Sequence, residues 1–307
     1  MKTLILEDTE KAAEIIKKGG LVAFPTETVY GLGASAFNKK AIDKIFKVKG
    51  RKQDNPLIIH ISNLKQLNEI AENIPRDAEK LIEKFWPGPL TMVLKKKKII
   101  PDNATANLDT VAVRMPKNKI ALELIERAGP IAAPSANLSG KPSTTSFEHV
   151  FHDMNNKIDA IIKDEDSEIG LESTVVDLST KNYTMLRPGK ITIEELRKVI
   201  KIRENKNFKI SKSPGMKYKH YSPKAKVIIV KRILKKYIKD NTAIISLRNY
   251  DTKEKFIAKD LEDLAKNLFK KFREFDEKNI KEIYFEAVKE EELGTAIMNR
   301  VKKAAGK

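Results

Sequence analysis

Lys49-Gly50-Arg51-Lys52 places three cations within four residues, between a predicted helix ending near Val48 and the apolar run Leu57 to Ile61. Gly50 and the Asn55-Pro56 pair mark this stretch as irregular backbone, not the solvated face of a helix. Loops on a rigid scaffold carry function disproportionately often. Arg51 offers a planar fork of donors and Lys49 a mobile point charge, a pair suited to a polyphosphate or a carboxylate. Taken alone, the cluster also reads as a solvated basic loop.

Other chemistry-bearing residues sit where apolar runs break into polar turns. Pro25-Thr26-Glu27-Thr28-Val29-Tyr30-Gly31-Leu32-Gly33 packs hydroxyls, a carboxylate and glycines into one turn, and Ile131 to Gly140 does the same with Ser135 and Asn137. His60 lies in the run Leu57 to Ile61, Arg114 in Val111-Ala112-Val113-Arg114-Met115, Ser173 before Thr174, and Arg187 before Pro188-Gly189. Each has a purely structural alternative. His60 is also what a satisfied core histidine looks like; Ser135 and Asn137 are ordinary turn residues, and Arg187 an ordinary surface cation. Arg114 is costly to bury without an anion, so either a ligand or an internal salt bridge must meet it. If these strand ends converge, they form a crevice with cationic, hydroxyl-rich walls, the usual ligand position in open α/β sheets. No serine has a G-x-S-x-G elbow, and the four histidines lack paired spacing, which argues against triad hydrolysis and zinc chemistry. No metal-ligand cluster is read from the sequence. What remains is a site that positions substrates and neutralises phosphate, as phosphoryl and adenylyl transfers require.

The elements that must hold these residues alternate along the chain. Thr9 opens a helix ended by Gly19-Gly20, Leu21 to Phe24 is a buried strand, and Asn38 caps the helix to Val48. Strands are predicted at Leu57 to Ile61, Leu90 to Leu94, Thr110 to Met115, and from Ile131. Further strands fall at Ile158 to Lys163, Ser173 to Leu178 and Tyr183 to Leu186. Helices start after Asn63, Pro75 and Ser146 and span Lys119 to Ala128 and Thr192 to Ile202. The interleaving predicts an α/β domain over residues 1–202. Residues 203–223 have neither periodicity, but they set Tyr218, His220 and Tyr221 among cations, which suits a linker that also covers an active site. From 224 to 307 the order is strand Val227 to Val230, helix to Lys239, strand Ala243 to Leu247, helix Leu261 to Phe275, strand Ile283 to Ala287, and helix from Glu292. That order predicts a small Rossmann-like parallel sheet, without the G-x-G-x-x-G of a dinucleotide site.

With 307 residues, 41% hydrophobic and 33% charged, the chain is globular and long enough for two domains. A net charge of +18 attracts polyanions at long range, so an RNA-binding module with a basic concave surface is the alternative reading. Against it, no ladder of stacking aromatics is visible. The absence of cysteine excludes thiolate chemistry and disulfides. No run nears the roughly 20 apolar residues of a membrane span, and nothing resembles a signal peptide, so a soluble cytoplasmic protein without membrane contact is expected.

Lys49-x-Arg51 with Asn55-Pro56-Leu57, Ser135-x-Asn137, Pro25 to Leu32, and Trp86-Pro87-Gly88-Pro89-Leu90-Thr91 together closely resemble the YrdC-domain family. Pro214-Gly215-Met216-Lys217-Tyr218-Lys219-His220-Tyr221-Ser222-Pro223, followed by an α/β domain, is similar to its two-domain branch, so the likeness covers essentially the whole chain. Lys52 stands where the family often has proline. The resemblance implies a twisted mixed-sheet YrdC-like domain with a basic cavity, followed by a small Rossmann-like domain. It implies synthesis of threonylcarbamoyl-AMP and diphosphate from L-threonine, bicarbonate and ATP, with magnesium. The product would serve the downstream tRNA threonylcarbamoyl transferase machinery that makes N6-threonylcarbamoyladenosine; direct tRNA contact is compatible but not required. By motif position, Thr28, His60, Arg114 and Ser173 would surround threonine. Lys49, Arg51, Asn55, Thr110, Ser135, Asn137 and Arg187 would hold ATP under a cover formed by Tyr218, His220 and Tyr221. Lys49 and Arg51 would carry the catalytic charge.

Overall fold

A computed structural model describes residues 2–204 and 220–307 of the chain. Strands and helices alternate around two separate sheets, so the expected α/β class holds. The larger sheet begins with β1 (Leu4–Leu6), α1 (Glu10–Lys17), β2 (Val22–Phe24) and β3 (Gly31–Ser35). The Asn38 side chain accepts a hydrogen bond from the Ala41 amide to start α2 (Lys39–Lys49), and Gly50, left-handed at φ 62°, ends it. β4 (Ile58–His60), α3 (Leu64–Ile70), β5 (Ala71–Glu72), α4 (Arg76–Phe85) and β6 (Leu90–Lys96) follow. Next come β7 (Thr110–Arg114), α5 (Lys119–Ala128), β8 (Ile131–Ala133), α6 (Phe147–Met154) and β9 (Ala160–Ile162). β10 (Thr174–Asp177), β11 (Thr184–Arg187), α7 (Ile193–Arg197) and β12 (Arg203–Glu204) complete it. Across the sheet the order is β1-β9-β2-β3-β8-β4-β7-β6-β10-β11-β12, with β5 beside β6. The sheet is mixed: β4 runs parallel to β7 and antiparallel to β8.

Side chains alternate between the faces of a strand, and that period sorts this sheet. Leu57, Ile59, Leu90, Met92, Val111, Val113 and Val176 point into the main core. Ile58, Val93, Ala112 and Val175 form a small cluster on the other face. His60 and Arg114 share that second face, because Ile58 pairs with Ala112 and His60 with Arg114 in register. The polar stretch from Pro25 to Gly33 is less of a turn than expected. Gly31 and Gly33 belong to β3, paired with Phe24 and Val22, and a Cβ on Gly33 would stand 2.9 Å from the Phe24 ring. The helix predicted to reach Ile202 ends at Arg197, and β12 then pairs with β11, so the large sheet takes a strand from the span read as linker.

The second sheet contains β13 (Lys226–Val230), β14 (Thr242–Ser246), β15 (Lys255–Ile257) and β16 (Glu282–Glu286), all parallel in the order β13-β16-β14-β15. α8 (Leu261–Glu277) and α9 (Glu292–Ala304) pack on one face. The helix expected up to Lys239 is absent; only a short 3-10 turn, Lys235–Tyr237, stands there. Residues 231–241 are fewer than the dozen or so that a helical crossover usually takes, and Ile233 covers Ile244 and Tyr284 without one.

The two halves are tightly joined. Leu171 sits in the core of the C-terminal half, and the buried Arg273 of α8 donates to Asp153 Oδ2 at 2.8 Å and to the Pro142 carbonyl at 2.6 Å. Gly170 makes a close approach to α8: it is left-handed at φ 73°, and a Cβ there would lie 2.3 Å from the Lys266 carbonyl oxygen. Gly170→Ala should therefore destabilise the fold by more than about 1 kcal/mol, since both the conformation and the space forbid a side chain. Denaturation of the variant at wild-type denaturant concentrations would contradict this packing.

Candidate active site

The strand ends do converge. On the face that carries Ile58, a cavity of about 720 Å³, counted out to its solvent mouth, is lined by Thr28, Lys49, Arg51, His60, Arg114, Ser135, Asn137, Ser173, Arg187, His220 and Tyr221. It is a concave site with convergent polar groups, built from β4, β7 and the turns around β2, β8, β10 and β11.

At one end lies Arg114, buried, donating from Nη2 to Glu27 Oε1 at 2.6 Å, from Nη1 to Thr28 Oγ1 at 2.8 Å and from Nε to the Gly88 carbonyl at 3.2 Å. An internal salt bridge therefore meets this arginine, and its guanidinium still borders the cavity. His60, on the neighbouring strand, meets the Phe24 ring edge-on at 5.9 Å. Burial first, and then the Arg114 charge, lower the imidazole to about 3, so it is neutral at pH 7. Its Nδ1 is buried without a protein partner.

At the other end, Arg51 Nη2 donates to the carbonyls of Asn55 and Pro56, each at 3.1 Å, while its Nε is buried and unpartnered. Lys49 differs from expectation. It is the last residue of α2, buried, with Nζ donating to the Ser135 carbonyl at 2.6 Å and to the Asn137 carbonyl, so it is a fixed donor and not a mobile point charge. Burial, then Arg51, push its ammonium well below the ordinary lysine value. Ser135 donates to Asn137 Oδ1 at 2.5 Å, which closes that turn around the lysine. Arg187 donates from Nε to the Ser173 carbonyl and from Nη2 to Ser173 Oγ, both at 3.0 Å. Burial lowers both Arg51 and Arg187 to about 10, which leaves them charged at neutral pH.

Three expected residues are not brought into the lining. Thr110 shares a face with Arg114 but stands at the opposite end of β7, about 13 Å away at the usual rise per residue. Asn55 is buried behind the wall, holding Arg51 by its carbonyl, with Oδ1 unpartnered. Tyr218 lies outside the described residues, as does most of the predicted cover, whose described end supplies His220 and Tyr221. Sequence reasoning also passed over Glu172, a carboxylate in the wall, and Arg300, its partner at 2.7 Å from α9. A signal existed: Leu293, Ala296, Ile297, Val301 and Ala304 mark the buried stripe of α9, and Arg300 falls on it.

Burial is the leading cause that holds His60, His149 and His220 neutral, at about 3, 4 and 4. In the unfolded chain each titrates near ~6.5, so from about pH 6.5 down to those values the unfolded state binds protons that the fold refuses. Stability must fall as pH drops through that window. Melting curves from pH 7 to pH 5 should show a declining Tm, with a shallower decline in His60→Gln; equal slopes would count against a buried neutral His60.

Residues 14–189 match the Sua5/YciO/YrdC family, described as telomere recombination, and residues 191–306 match threonylcarbamoyl-AMP synthase, C-terminal domain. Threonylcarbamoyl-AMP synthase of Pyrococcus abyssi (strain GE5 / Orsay) is 48% identical over 96% of this chain and 93% of its own length. Its counterpart in Bacillus subtilis (strain 168) is 41% identical over 96% and 92%. The crystal structure of P. abyssi Sua5 complexed with L-threonine is similar at a TM-score of 0.94 and 46% identity, covering 99% of this chain and 98% of that one. The chain therefore belongs to the Sua5/YciO/YrdC family, in the branch that carries the threonylcarbamoyl-AMP synthase C-terminal domain.

Proposed function

We infer that this chain is an L-threonylcarbamoyladenylate synthase, which joins L-threonine, bicarbonate and ATP into threonylcarbamoyl-AMP and diphosphate. The observation that carries the reading is one cavity wall on which Arg51, Arg114 and Arg187 converge beside Thr28, His60 and Ser173, cations and hydroxyls suited to a carboxylate and a polyphosphate together. Near-full-length relatives carrying this enzyme's name, and a similar Sua5 structure complexed with L-threonine, support the same substrate class.

In this reading the Arg114 guanidinium meets the threonine carboxylate, and Thr28, His60 and Ser173 surround the rest of the amino acid. The neutral threonine amine attacks the carbon of bicarbonate, the C–OH bond breaks, the departing hydroxide takes a proton from the nitrogen and leaves as water, and the new N-carboxylate attacks the α-phosphorus of ATP. Diphosphate departs with the electron pair of the broken P–O bond. Arg51 and Arg187, already desolvated and aimed at the cavity, stabilise the phosphate charge that grows in this step. Lys49 holds the Ser135 and Asn137 carbonyls in place. No covalent enzyme intermediate is required.

Magnesium is expected with the nucleotide. The described residues do not fit a protein-held ion: they contain no group of three or more His, Asp or Glu suited to a metal. Glu172, the acid in the wall, has Oε1 bonded by Ser143 and Oε2 by Arg300. The ion would be carried by the ATP phosphates and would supply charge neutralisation there.

The RNA-binding alternative fits less well. Lys49, Arg114 and Arg187 are each under 5% exposed, out of reach of a polymer backbone. Delivery of the product to tRNA-modifying partners, and a cytoplasmic setting, follow from this reading. No described helix is long and apolar enough to cross a membrane.

The test is diphosphate release that requires threonine and bicarbonate with no RNA present. Arg51→Ala should lose on the order of 10²-fold or more in turnover while remaining folded. Serine, which keeps the hydroxyl, should be weaker than threonine by roughly 1 to 3 kcal/mol, and valine should be rejected far more strongly. Near-normal turnover in the arginine variant, or valine matching serine, would contradict the assigned roles.

A further inference from the structure

α9 buries an arginine where its periodicity asks for an apolar side chain. Arg300 is 0% exposed, between Ile297 and Val301 on the stripe that packs into the C-terminal core. A buried guanidinium persists only with good partners. Its Nε donates to Glu172 Oε2 at 2.7 Å, its Nη2 to the Glu172 carbonyl at 3.3 Å and its Nη1 to Asn299 Oδ1 at 2.9 Å. Its guanidinium carbon also lies 5.6 Å from the centre of the Tyr221 ring, which stacks on Phe269 of α8 at 5.3 Å.

The carboxylate it holds is in the cavity wall, next in sequence to Ser173, which holds Arg187. Both Glu172 oxygens are engaged, one by Arg300 and the other by the Ser143 hydroxyl at 2.5 Å. Burial opposes its ionisation, but the Arg300 and Arg187 charges more than offset that and hold it below the usual carboxylate range. Lys303, one turn further along α9, is lowered to about 7 by burial and then by Arg300 and Arg187, so the end of this helix and the cavity share one field. A fixed negative charge in a wall that receives a polyphosphate repels it strongly at protein-interior dielectric, unless a cation cancels it.

We propose that Arg300 is a positioning residue for ATP: by pinning and neutralising Glu172 from α9, it makes the C-terminal domain part of the nucleotide end of the site. The inference rests on the reading that ATP occupies this cavity. A different account makes the pair mere adhesive between the halves, and the two accounts differ in what removing the carboxylate does.

The experiment is calorimetric titration of ATP, without threonine, into the full-length protein and three variants. Arg300→Met should weaken ATP binding by about 30-fold or more, because an uncompensated carboxylate then faces the triphosphate. Arg300→Met combined with Glu172→Gln should recover about 10-fold of that loss, since the repelling charge is gone. Glu172→Gln alone should bind ATP more tightly than the unsubstituted protein, by about 3-fold or more, as Arg300 then acts on the phosphates without its counter-charge. This last variant decides the matter even if Arg300→Met does not fold. Unchanged affinity in Arg300→Met, no recovery in the double variant, or weaker binding in Glu172→Gln overturns the proposal. Threonine-dependent diphosphate release by the unsubstituted protein is measured alongside. If it is absent while the affinities follow this pattern, the synthase reading falls and the role of Arg300 in nucleotide binding stands.

Discussion

Like charges taken out of water repel one another and lose their hydration, so a wall that carries Lys49, Arg51, Arg114 and Arg187 stands only if each cation has fixed partners. Each partner here also belongs to a turn at the end of a strand. Lys49 holds the carbonyls of Ser135 and Asn137, Arg51 those of Asn55 and Pro56, Arg187 that of Ser173, and Arg114 the Glu27 carboxylate. Neutral carbonyls, unlike carboxylates, orient a cation without cancelling it. The cavity thus keeps a positive field with its donors already in place, and little reorganisation is left for the moment of reaction.

The sheet supplies the geometry that makes this possible. Alternate residues of β4 and β7 serve opposite faces: Ile59, Val111 and Val113 anchor the strands in the main core, while His60 and Arg114 face the cavity side by side in parallel register. Mixed strand directions matter as much. β8 runs against β4, so its exit turn with Ser135 reaches the cavity from the far side of Ile58 and meets Lys49 at the end of α2. A one-residue slip of β7 against β4 would turn Arg114 into the apolar core, where its charge would be untenable.

Coupling between the halves follows the same electrostatic logic. Arg273 meets Asp153, and Arg300 meets Glu172, each a buried ion pair formed across the junction. Breaking one member of such a pair leaves an unpaired charge out of water, so the two halves are expected to lose their structure around this junction together. On the other face of the small sheet, residues 231–241 stand in for a helix, with Ile233 covering Ile244 and Tyr284.

Most of the local order is legible in neighbouring residues along the chain. Caps at Asn38, Asn63, Asn118, Ser146 and Thr192 stand where polar residues precede helical periodicity, because capping is a matter of a few neighbouring residues. The chemistry of the site was legible for a similar reason: Arg51, Ser135, Asn137 and Arg187 sit beside Gly, Pro or small polar neighbours that announce a strand end. Tertiary structure alone decided which partners those residues have. That Arg114 pairs with Glu27 and that Lys49 meets Ser135 depend on the packing of distant segments. So does the binding of Glu172 by a helix that begins 120 residues later, at Glu292. Local sequence sets dihedral angles and faces, but charge partners are chosen by through-space distance, and only the packed fold fixes that distance.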